Sequence, residues 1–382
     1  MALSPVLAEQ STYPFVRLEQ AKQEAAARGV DIIDFGQGDP REPTDPLIRR
    51  ALVDALGETM GYPKAEGLPA LRAAIAGWVA RRFSVTLDPD RELVPTLGSK
   101  EAIFSFAQVF VDAPGGRDIV LVPDPAYPVY DRGAEFAGAT VVHVPFHEEQ
   151  GFLPDIEAIN GAVLDRTALL WVNYPNNPTA AVAPRAFYEQ LAELAARYDF
   201  LVCSDEAYSE LWFDQPPPSA LEPADRSHAV VFNTLSKRSS MTGYRSGFVA
   251  AAPWVIDALR KYRPTVGTAP QEFVQRASIA AWGDEDHVER TRAVYRHKRD
   301  VLLPAFEGLG WRAAGKEATM YLWLALPDDE RSGAAAERLL EHGIVVAPGA
   351  YFGESGEGYV RVALVPTVED CERAAAVLGD LA

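Results

Sequence analysis

A lysine set among hydroxyl side chains, with an arginine eight residues later, is the feature of this sequence best suited to chemistry. Lys237 follows the apolar run 229–232, which predicts a buried strand, and Arg245 precedes a second apolar run at 247–252. A lysine amine that is desolvated and close to cations has a lowered pKa, so it can attack a carbonyl and form a Schiff base. The hydroxyls and the guanidinium of Arg245 suit a phosphate group.

A carboxylate that comes directly after another apolar run is the second candidate group. Asp205 follows the run 201–204, and Tyr208 lies three residues later. Burying an aspartate is unfavourable without a positive partner, and the protonated nitrogen of a pyridine ring is such a partner. The hydroxyl of Tyr208 would then meet a phenolic oxygen of the same ring. Capping of a helix is the alternative explanation for Asp205.

Three further patterns each follow a predicted strand. Ser99 and Lys100 come after Gly98 at the start of a helix, where free backbone N–H groups bind anions. Tyr127 lies between two prolines and could stack on a planar ring. Asn177 lies in an Asn-Pro turn, where its amide could donate to a phenolate oxygen. Simpler explanations are a turn at Gly98, packing of Tyr127 and a chain reversal at Asn177.

The elements that must position these residues alternate between short apolar runs and amphipathic stretches. The predicted strands are 119–122, 140–144, 169–173, 201–204, 230–233 and 248–251. A predicted helix at 184–198 connects the third and fourth strands, as in a largely parallel sheet that is covered on both faces. Ligands bind beyond the carboxyl ends of such strands, so the candidate residues should converge on one ligand.

The pattern changes after about residue 271. It predicts a long helix at 286–306, strands near 320–325, 343–346 and 359–364, and a closing helix at 368–381. We therefore expect an α/β protein with a large domain at 45–270. A smaller α+β domain is expected from 1–44 together with 271–382.

Composition excludes several classes of function. The net charge of -18 argues against a nucleic-acid or anionic-membrane surface, because such partners need basic patches. No signal sequence or membrane-spanning run is present, so we expect a cytoplasmic protein. Histidine is scarce, with six residues in the chain, so no metal site is expected, and Cys203 and Cys371 are expected to be buried free thiols.

Phosphate cradle, stacking aromatic ring, phenolate donor, pyridinium partner and Schiff-base lysine together match pyridoxal 5'-phosphate (PLP). The sequence resembles the fold-type I PLP-dependent aminotransferases of class I/II over roughly residues 33–367, with a mostly parallel seven-stranded sheet implied. The resemblance is carried by Asn177-Pro178-Thr179, by Ser204 to Tyr208, and by Ser236-Lys237 with Arg245.

This resemblance implies a role for each residue of the cofactor site. Lys237 is the Schiff-base lysine, Asp205 pairs with the ring nitrogen, and Tyr127 stacks on the ring. Asn177 and Tyr208 contact the phenolate oxygen. The residues implied to hold the phosphate are Ser99, Lys100, Thr234 and Arg245.

The resemblance also implies residues for the substrate and for a partner subunit. Tyr62 matches a tyrosine that reaches the cofactor phosphate of the neighbouring subunit, which implies a homodimer with shared active sites. Gly38 matches a glycine whose backbone lines the substrate carboxylate, and Arg361 matches the arginine that binds the α-carboxylate. Arg263 aligns with a partner-subunit arginine that binds distal carboxylates, or else it is a surface arginine that caps a helix end.

The implied reaction is ping-pong transfer of an amino group from an amino acid to 2-oxoglutarate, with Lys237 also acting as general base. The segments 13–15, 97–103 and 348–353 are most similar to bacterial succinyldiaminopimelate aminotransferases. Aspartate, alanine and LL-diaminopimelate aminotransferases, and PLP-dependent C–S β-lyases, are the alternatives. Ala180 replaces a glycine that is usual in the family, which concerns fine geometry rather than the chemistry.

Overall fold

Strands and helices alternate along most of the chain in the computed structural model, which describes residues 3–10, 14–328 and 330–381; Tyr13 lies outside them. The strands are β1 (Ile33–Asp34), β2 (Leu93–Thr96), β3 (Ile119–Asp124), β4 (Thr140–Pro145), β5 (Thr167–Asn173), β6 (Leu201–Asp205), β7 (Ala229–Thr234), β8 (Gly247–Ala251), β9 (Arg312–Gly315), β10 (Tyr321–Ala325), β11 (Ile344–Val345), β12 (Ala347–Pro348) and β13 (Tyr359–Ala363). The α-helices are α1 (Pro5–Glu9), α2 (Pro14–Ala27), α3 (Pro46–Asp54), α4 (Pro69–Phe83), α5 (Ser99–Phe110), α6 (Val129–Phe136), α7 (Gly161–Leu164), α8 (Arg185–Tyr198), α9 (Leu235–Arg238), α10 (Pro253–Val266), α11 (Glu272–Gly283), α12 (Asp286–Gly308), α13 (Ser332–Glu341) and α14 (Val368–Leu381).

Seven strands form the central sheet in the order β2-β8-β7-β6-β5-β3-β4. The strands β7, β6, β5, β3 and β4 are parallel to one another, whereas β8 runs antiparallel to both β7 and β2. The mostly parallel sheet is therefore confirmed, and each of the six strands predicted for it is observed within two residues at either end.

Helices cover both faces of this sheet, which explains why every residue of β5, β6 and β7 is buried. Apolar side chains of α4, α8 and α11 pack on one face, and those of α5, α6 and α10 pack on the other. The register places Asn173 beside Asp205 and Asp205 beside Phe232. The polar carboxyl ends of β5, β6 and β7 therefore lie side by side at one end of the parallel strands.

A second, antiparallel sheet has the order β12-β13-β10-β9 and packs with α12, α13 and α14 around its own hydrophobic cluster. The strand predicted at 343–346 is observed as the shorter β11, and β12 begins just after the predicted range. The N-terminal strand β1 pairs in parallel with β11, Ile33 lying opposite Ile344. Residues from both ends of the chain thus meet, while the domain boundaries at 44 and 270 stay a prediction.

Among the residues that the structure describes, no helix is long and apolar enough to cross a membrane. Cys203 and Cys371 are both buried free thiols, which confirms the expectation from the sequence.

Candidate active site

A cavity of about 730 Å³ opens at the carboxyl ends of β5, β6 and β7. The sequence predicts thirteen residues for catalysis and for binding of cofactor and substrate, and eleven of them line this cavity. They are Gly38, Ser99, Lys100, Tyr127, Asn177, Asp205, Tyr208, Thr234, Lys237, Arg245 and Arg361. The convergence predicted from strand ends is therefore observed.

Lys237 lies on the short helix α9, which begins directly after β7. Its Nζ donates a hydrogen bond of 2.5 Å to the carbonyl oxygen of Gly38. Burial lowers the pKa of Lys237 to about 8; the cations Arg361 and Arg245 act in the same direction, and Asp39 opposes them. The direction of this shift agrees with the expectation from the sequence, and a lowered pKa increases the neutral, nucleophilic fraction of the amine.

Asp205 ends β6 with its carboxylate buried against the cavity. Its Oδ2 accepts from the hydroxyl of Tyr130 at 2.8 Å, and its Oδ1 accepts from the backbone N–H of Ala207 at 3.2 Å. Burial raises the pKa of Asp205 to about 6, although both hydrogen bonds and Lys237 favour the charged form. A buried carboxylate whose hydrogen-bond partners are neutral is suited to a cationic ligand.

Asn173 joins the end of β5 to the turn that carries Asn177. Its side-chain N–H donates to the carbonyl oxygen of Asp205 at 2.7 Å, and its side-chain oxygen accepts from the backbone N–H of Asn177 at 2.8 Å. The side-chain oxygen of Asn177 accepts in turn from Arg361 at 2.9 Å. With its oxygen occupied in this way, Asn177 presents its NH₂ group as the donor to a ligand.

Arg361 is buried and held flat between aromatic rings. Its guanidinium carbon lies 4.4 Å from the ring centre of Tyr321 and 4.6 Å from that of Phe352, and its Nη2 donates to the carbonyl oxygen of Gly36 at 2.8 Å. The hydroxyl of Tyr321 is 2.9 Å from that of Tyr208. These contacts fix the plane of the guanidinium, as two-point binding of a carboxylate requires.

Gly98 and Arg245 form the other end of the cavity. Gly98 has φ +75°, which favours glycine, and a Cβ there would lie 2.5 Å from Nη2 of Arg245 and so displace the guanidinium. The guanidinium donates to the carbonyl oxygens of Thr242 at 2.8 Å and Leu97 at 3.3 Å. Helix α5 begins at Ser99, so its first backbone N–H groups face the same end as this cation.

Thr234 has a buried hydroxyl that already serves the protein. It accepts from the backbone N–H of Ser236 at 3.1 Å, which caps α9, and it donates to the carbonyl oxygen of Ser246 at 2.9 Å. The threonine therefore holds the start of the lysine helix in place while its side chain lines the cavity.

Two of the predicted residues do not line the cavity. Arg263 is only 1% exposed, and its guanidinium donates to Glu101 at 2.7 Å and to the carbonyl oxygen of Pro95 at 3.2 Å. The predicted surface position of Arg263 is therefore wrong, although its Nη2 also donates at 3.5 Å to the carbonyl oxygen of Thr268, just beyond the end of α10; a role toward a distal carboxylate stays a prediction. Tyr62 lies fully exposed on the surface of the chain.

Sequence reasoning missed three polar residues of the site, namely Tyr130, Asn173 and Tyr321. Tyr130 had a usable signal, because it lies three residues after Tyr127 at the start of a helix and so shares a face with it. Asn173 was recognised only as the end of a strand. Nothing in the local pattern around Tyr321 distinguishes it from the other aromatic residues of a buried strand.

A helical wall formed by α2 was also missed. The residues of this wall that line the cavity are Phe15, Val16, Glu19, Gln20 and Gln23, and Gln37 lies beside them. Glu19 accepts from the side-chain N–H groups of Gln23 at 3.1 Å and Gln37 at 3.2 Å, and it pairs with Lys22. The hydrogen bond from Lys22 lowers the pKa of Glu19, so the wall carries an ionised carboxylate that is paired with a lysine of the same helix.

Comparison with known proteins gives consistent results. The family model "Aminotransferase class I and II" matches residues 30–378. The chain is 40% identical to an LL-diaminopimelate aminotransferase of Dehalococcoides mccartyi, over 100% of this chain and 99% of that protein. An aminotransferase from Neisseria meningitidis has a similar structure, with a TM-score of 0.91, 35% identity, and coverage of 99% of this chain and 100% of that one. A probable N-succinyldiaminopimelate aminotransferase from Thermus thermophilus gives a TM-score of 0.89 and 30% identity, covering 96% of this chain and all of that one.

Proposed function

Because the chain belongs to the class I and II aminotransferase family, and is an aminotransferase, we propose that it binds PLP in the cavity at the sheet edge and transfers an amino group from LL-diaminopimelate to 2-oxoglutarate. The observation that carries the proposal is the meeting of Lys237, Asp205 and Arg361 in one cavity. These three groups are an amine of lowered pKa, a buried carboxylate suited to a cation, and a carboxylate-binding guanidinium.

The donor set of the cavity fits PLP at each polar position of the cofactor. Asp205 would hold the ring nitrogen, Tyr208 and the NH₂ of Asn177 would hold the phenolic oxygen, and Tyr127 would stack on the ring. The phosphate would be held by Arg245 together with Ser99, Lys100 and the start of α5. When bound, PLP supplies an aldehyde that can hold an amino group and a ring that withdraws electrons from the substrate α-carbon.

The protein's own residues then carry out positioning and proton transfer. Arg361 binds the α-carboxylate with both of its terminal nitrogens, beside the backbone of Gly38. The Nζ of Lys237, held near Gly38, moves a proton from the substrate α-carbon. Asp205 remains negative beside the ring nitrogen and so keeps that nitrogen protonated.

The α2 wall supports a long substrate with a charged far end. The Phe15 ring lies 5.5 Å from the guanidinium of Arg361, and Glu19 lies one helical turn further, about 6 Å along the axis. In LL-diaminopimelate four carbon–carbon bonds, about 5 Å when extended, separate the two amino-bearing carbons. We infer that a substrate held by Arg361 extends along this wall, which would bring its distal ammonium towards Glu19, in the same cavity.

A succinyl group on the distal amine would remove its positive charge and add a carboxylate. The carboxylate of Glu19 would attract a distal ammonium and repel an added carboxylate, and its pairing with Lys22 weakens both effects without reversing them, so we infer a preference for the free diamine over the N-succinyl form. Among the predictions from the sequence, LL-diaminopimelate was an alternative and the N-succinyl form the first choice. The names of the most similar curated relatives support the same alternative.

A homodimer with shared sites is the quaternary structure that we propose. Tyr62 is fully exposed, and it ends a stretch in which four other apolar side chains are also exposed. These side chains are Leu47, Val53, Leu56 and Met60. An exposed apolar stretch of this kind is typical of a contact surface, and a partner's Tyr62 would complete the phosphate end of each cavity.

The substrate proposal is tested by measuring glutamate formed from 2-oxoglutarate with a panel of donors. LL-diaminopimelate should exceed N-succinyl-LL-diaminopimelate, aspartate and alanine in kcat/KM by at least tenfold. Pyruvate and ammonia are measured in parallel with cystathionine as substrate, and their formation without glutamate would replace the aminotransferase proposal with a C–S β-lyase. Preference for the N-succinyl donor would overturn the substrate assignment.

The shared site is tested by mixing two inactive variants, Tyr62→Ala and Lys237→Ala, under conditions of subunit exchange. In a mixed dimer one cavity carries both substitutions and the other carries neither, so activity should return on mixing. No recovery, with exchange verified by mass, would contradict a composite site.

A further inference from the structure

The helix that carries Lys237 is fastened to the junction between α11 and α12. Ser239 comes two residues after the lysine, and its Oγ is 2.8 Å from Nε2 of His287. On the other side of the imidazole ring, Nδ1 of His287 is 2.6 Å from Oδ2 of Asp284. Asp284 also accepts from the backbone N–H of His287 at 3.0 Å. Ser239 and His287 are both buried, while the carboxylate of Asp284 at the end of the chain is partly exposed.

The direction of the chain follows from its acceptors. Because the carboxylate of Asp284 can only accept, Nδ1 of His287 carries the proton and Nε2 accepts from the Ser239 hydroxyl. The Ser239 oxygen accepts in turn from Nη1 of Arg238 at 3.3 Å. Every polar atom named has a partner, so the hydroxyl of Ser239 has one preferred orientation.

Arg238 makes a parallel attachment to the same junction. It is 1% exposed, and its Nη1 donates to the carbonyl oxygen of Ala281 at 2.7 Å. Its Nη2 donates to Glu285 at 2.7 Å and to the carbonyl oxygen of Asp284 at 3.2 Å. Both residues that follow Lys237 are therefore attached to the end of α11 and the start of α12.

Helix α12 also holds the segment 39–45, which follows Gly38. Arg290 donates to Asp45 at 2.8 Å, and Lys298 pairs with Glu42. Thr44 donates to the carbonyl oxygen of Ser240 at 2.6 Å, which joins this segment directly to the lysine segment. His287, Arg290, Thr291, Val294 and Lys298 are spaced along one face of α12. That face thus contacts the two segments that follow Lys237 and Gly38, which are the partners of the hydrogen bond from the lysine.

We propose that His287, acting through Ser239, is a positioning residue that holds Lys237 in register with Gly38 for proton transfer. The inference rests on the proposed function for the identity of the reaction. The geometry is independent of the proposed function, because the hydrogen bonds from Ser239 through His287 to Asp284 all lie within the protein. His287 does not touch the cavity and takes no part in the chemistry.

The test uses His287→Ala and Ser239→Ala, with His287→Gln as the conservative variant whose side-chain oxygen can still accept from Ser239. The matched control is His228→Ala. His228 lies in a surface chain of the same chemical type, 3.0 Å from Ser227 and 3.3 Å from Asp199.

Steady-state kinetics should separate positioning from binding. In both alanine variants we expect kcat to fall five- to thirtyfold while KM for each substrate stays within twofold. The double variant should be no worse than either single one, because both break one chain. His287→Gln should recover at least part of the loss, and the control should match the wild type.

A second readout does not depend on turnover. In cofactor-free protein, the pH profile of Lys237 acylation by acetic anhydride, followed by mass spectrometry, reports the pKa of that amine. The charged groups acting on the amine are Asp39, Arg361, Arg245 and Asp205. Release of the lysine segment into water should move the profile of both alanine variants upward by at least half a pH unit from a wild-type midpoint of about 8.

An unchanged kcat and an unchanged acylation profile, with only a lowered Tm, would show that the chain merely stabilises the fold and would overturn the proposal. If His287→Ala does not fold, Ser239→Ala, which removes a single hydroxyl, decides the question by the same two readouts. If the wild type proves not to be an aminotransferase, the acylation profile still decides the positioning role.

Discussion

The hydroxyl of Tyr130 donates a hydrogen bond of 2.8 Å to Oδ2 of Asp205 in the buried floor of the cavity. This phenol is the only side-chain donor to that carboxylate in the described part of the chain, so it helps to keep Asp205 charged. Tyr130 is itself buried, with its ring stacked on Trp171 at 4.8 Å. The floor of the site is therefore fixed before any ligand binds.

Tyr130→Phe should weaken PLP binding without removing it. Loss of the hydrogen bond raises the pKa of Asp205 further above about 6, so a larger fraction of the carboxyl is neutral and cannot pair with the ring nitrogen. We expect Kd for PLP at pH 7 to rise roughly three- to tenfold, and the pH below which affinity declines to move upward. Fluorescence titration of cofactor-free protein between pH 5.5 and 8.5 measures both, and identical curves for variant and wild type would contradict this role.

Asp205→Asn should stabilise the cofactor-free protein while abolishing turnover. The folded protein raises the pKa of Asp205 from 3.8 to about 6, so above pH 6 the ionised carboxylate opposes folding. Two pKa units correspond to roughly 3 kcal/mol, and we expect a gain of about 1 to 3 kcal/mol in the free energy of unfolding at pH 8. The gain should shrink as the pH falls from 6 to 4, because the acid then becomes protonated in both states. Urea denaturation at several pH values checks this, and a destabilised variant at pH 8 would refute it.

The sheet and most of the site could be predicted because buried parallel strands read as apolar runs with polar ends. Asp205 and Lys237 were recognisable because a charge directly after such a run needs a purpose. Tyr321 and the α2 wall could not be found in this way, because their positions depend on how the C-terminal and N-terminal segments pack against the sheet. Arg263 was misinterpreted for the same reason: its burial against Glu101 is a tertiary contact between residues far apart in sequence.

Arg361→Lys should strongly reduce activity, although lysine keeps the positive charge. Lysine cannot bind two carboxylate oxygens in one plane, and it cannot also keep the contacts to Asn177 and Gly36. We expect kcat/KM for every donor to fall about a hundredfold, corresponding to roughly 2.7 kcal/mol, with PLP affinity changed less than threefold. Equal losses in PLP affinity and in kcat/KM would indicate that Arg361 acts on the cofactor site instead.

Glu19→Gln should change the choice of donor rather than the chemistry. The variant keeps the size of the side chain and one of its two accepting oxygens, but it removes the negative charge and the pairing with Lys22. We expect kcat/KM for LL-diaminopimelate to fall roughly three- to tenfold, as for a partly exposed charge pair, and that for alanine to stay within twofold. An equal loss with both donors would place Glu19 outside the substrate-binding surface.

The most direct measurement of the central claim is a half-reaction followed by absorbance. PLP-loaded wild-type enzyme is mixed with LL-diaminopimelate in the absence of any oxo acid, and conversion of the cofactor from its aldehyde form to its amine form is recorded. We predict complete conversion, reversal on addition of 2-oxoglutarate with one glutamate formed per site, and no conversion in Lys237→Ala. A cofactor that stays in the aldehyde form with LL-diaminopimelate and with every other amino acid, or full conversion in Lys237→Ala, would contradict the account.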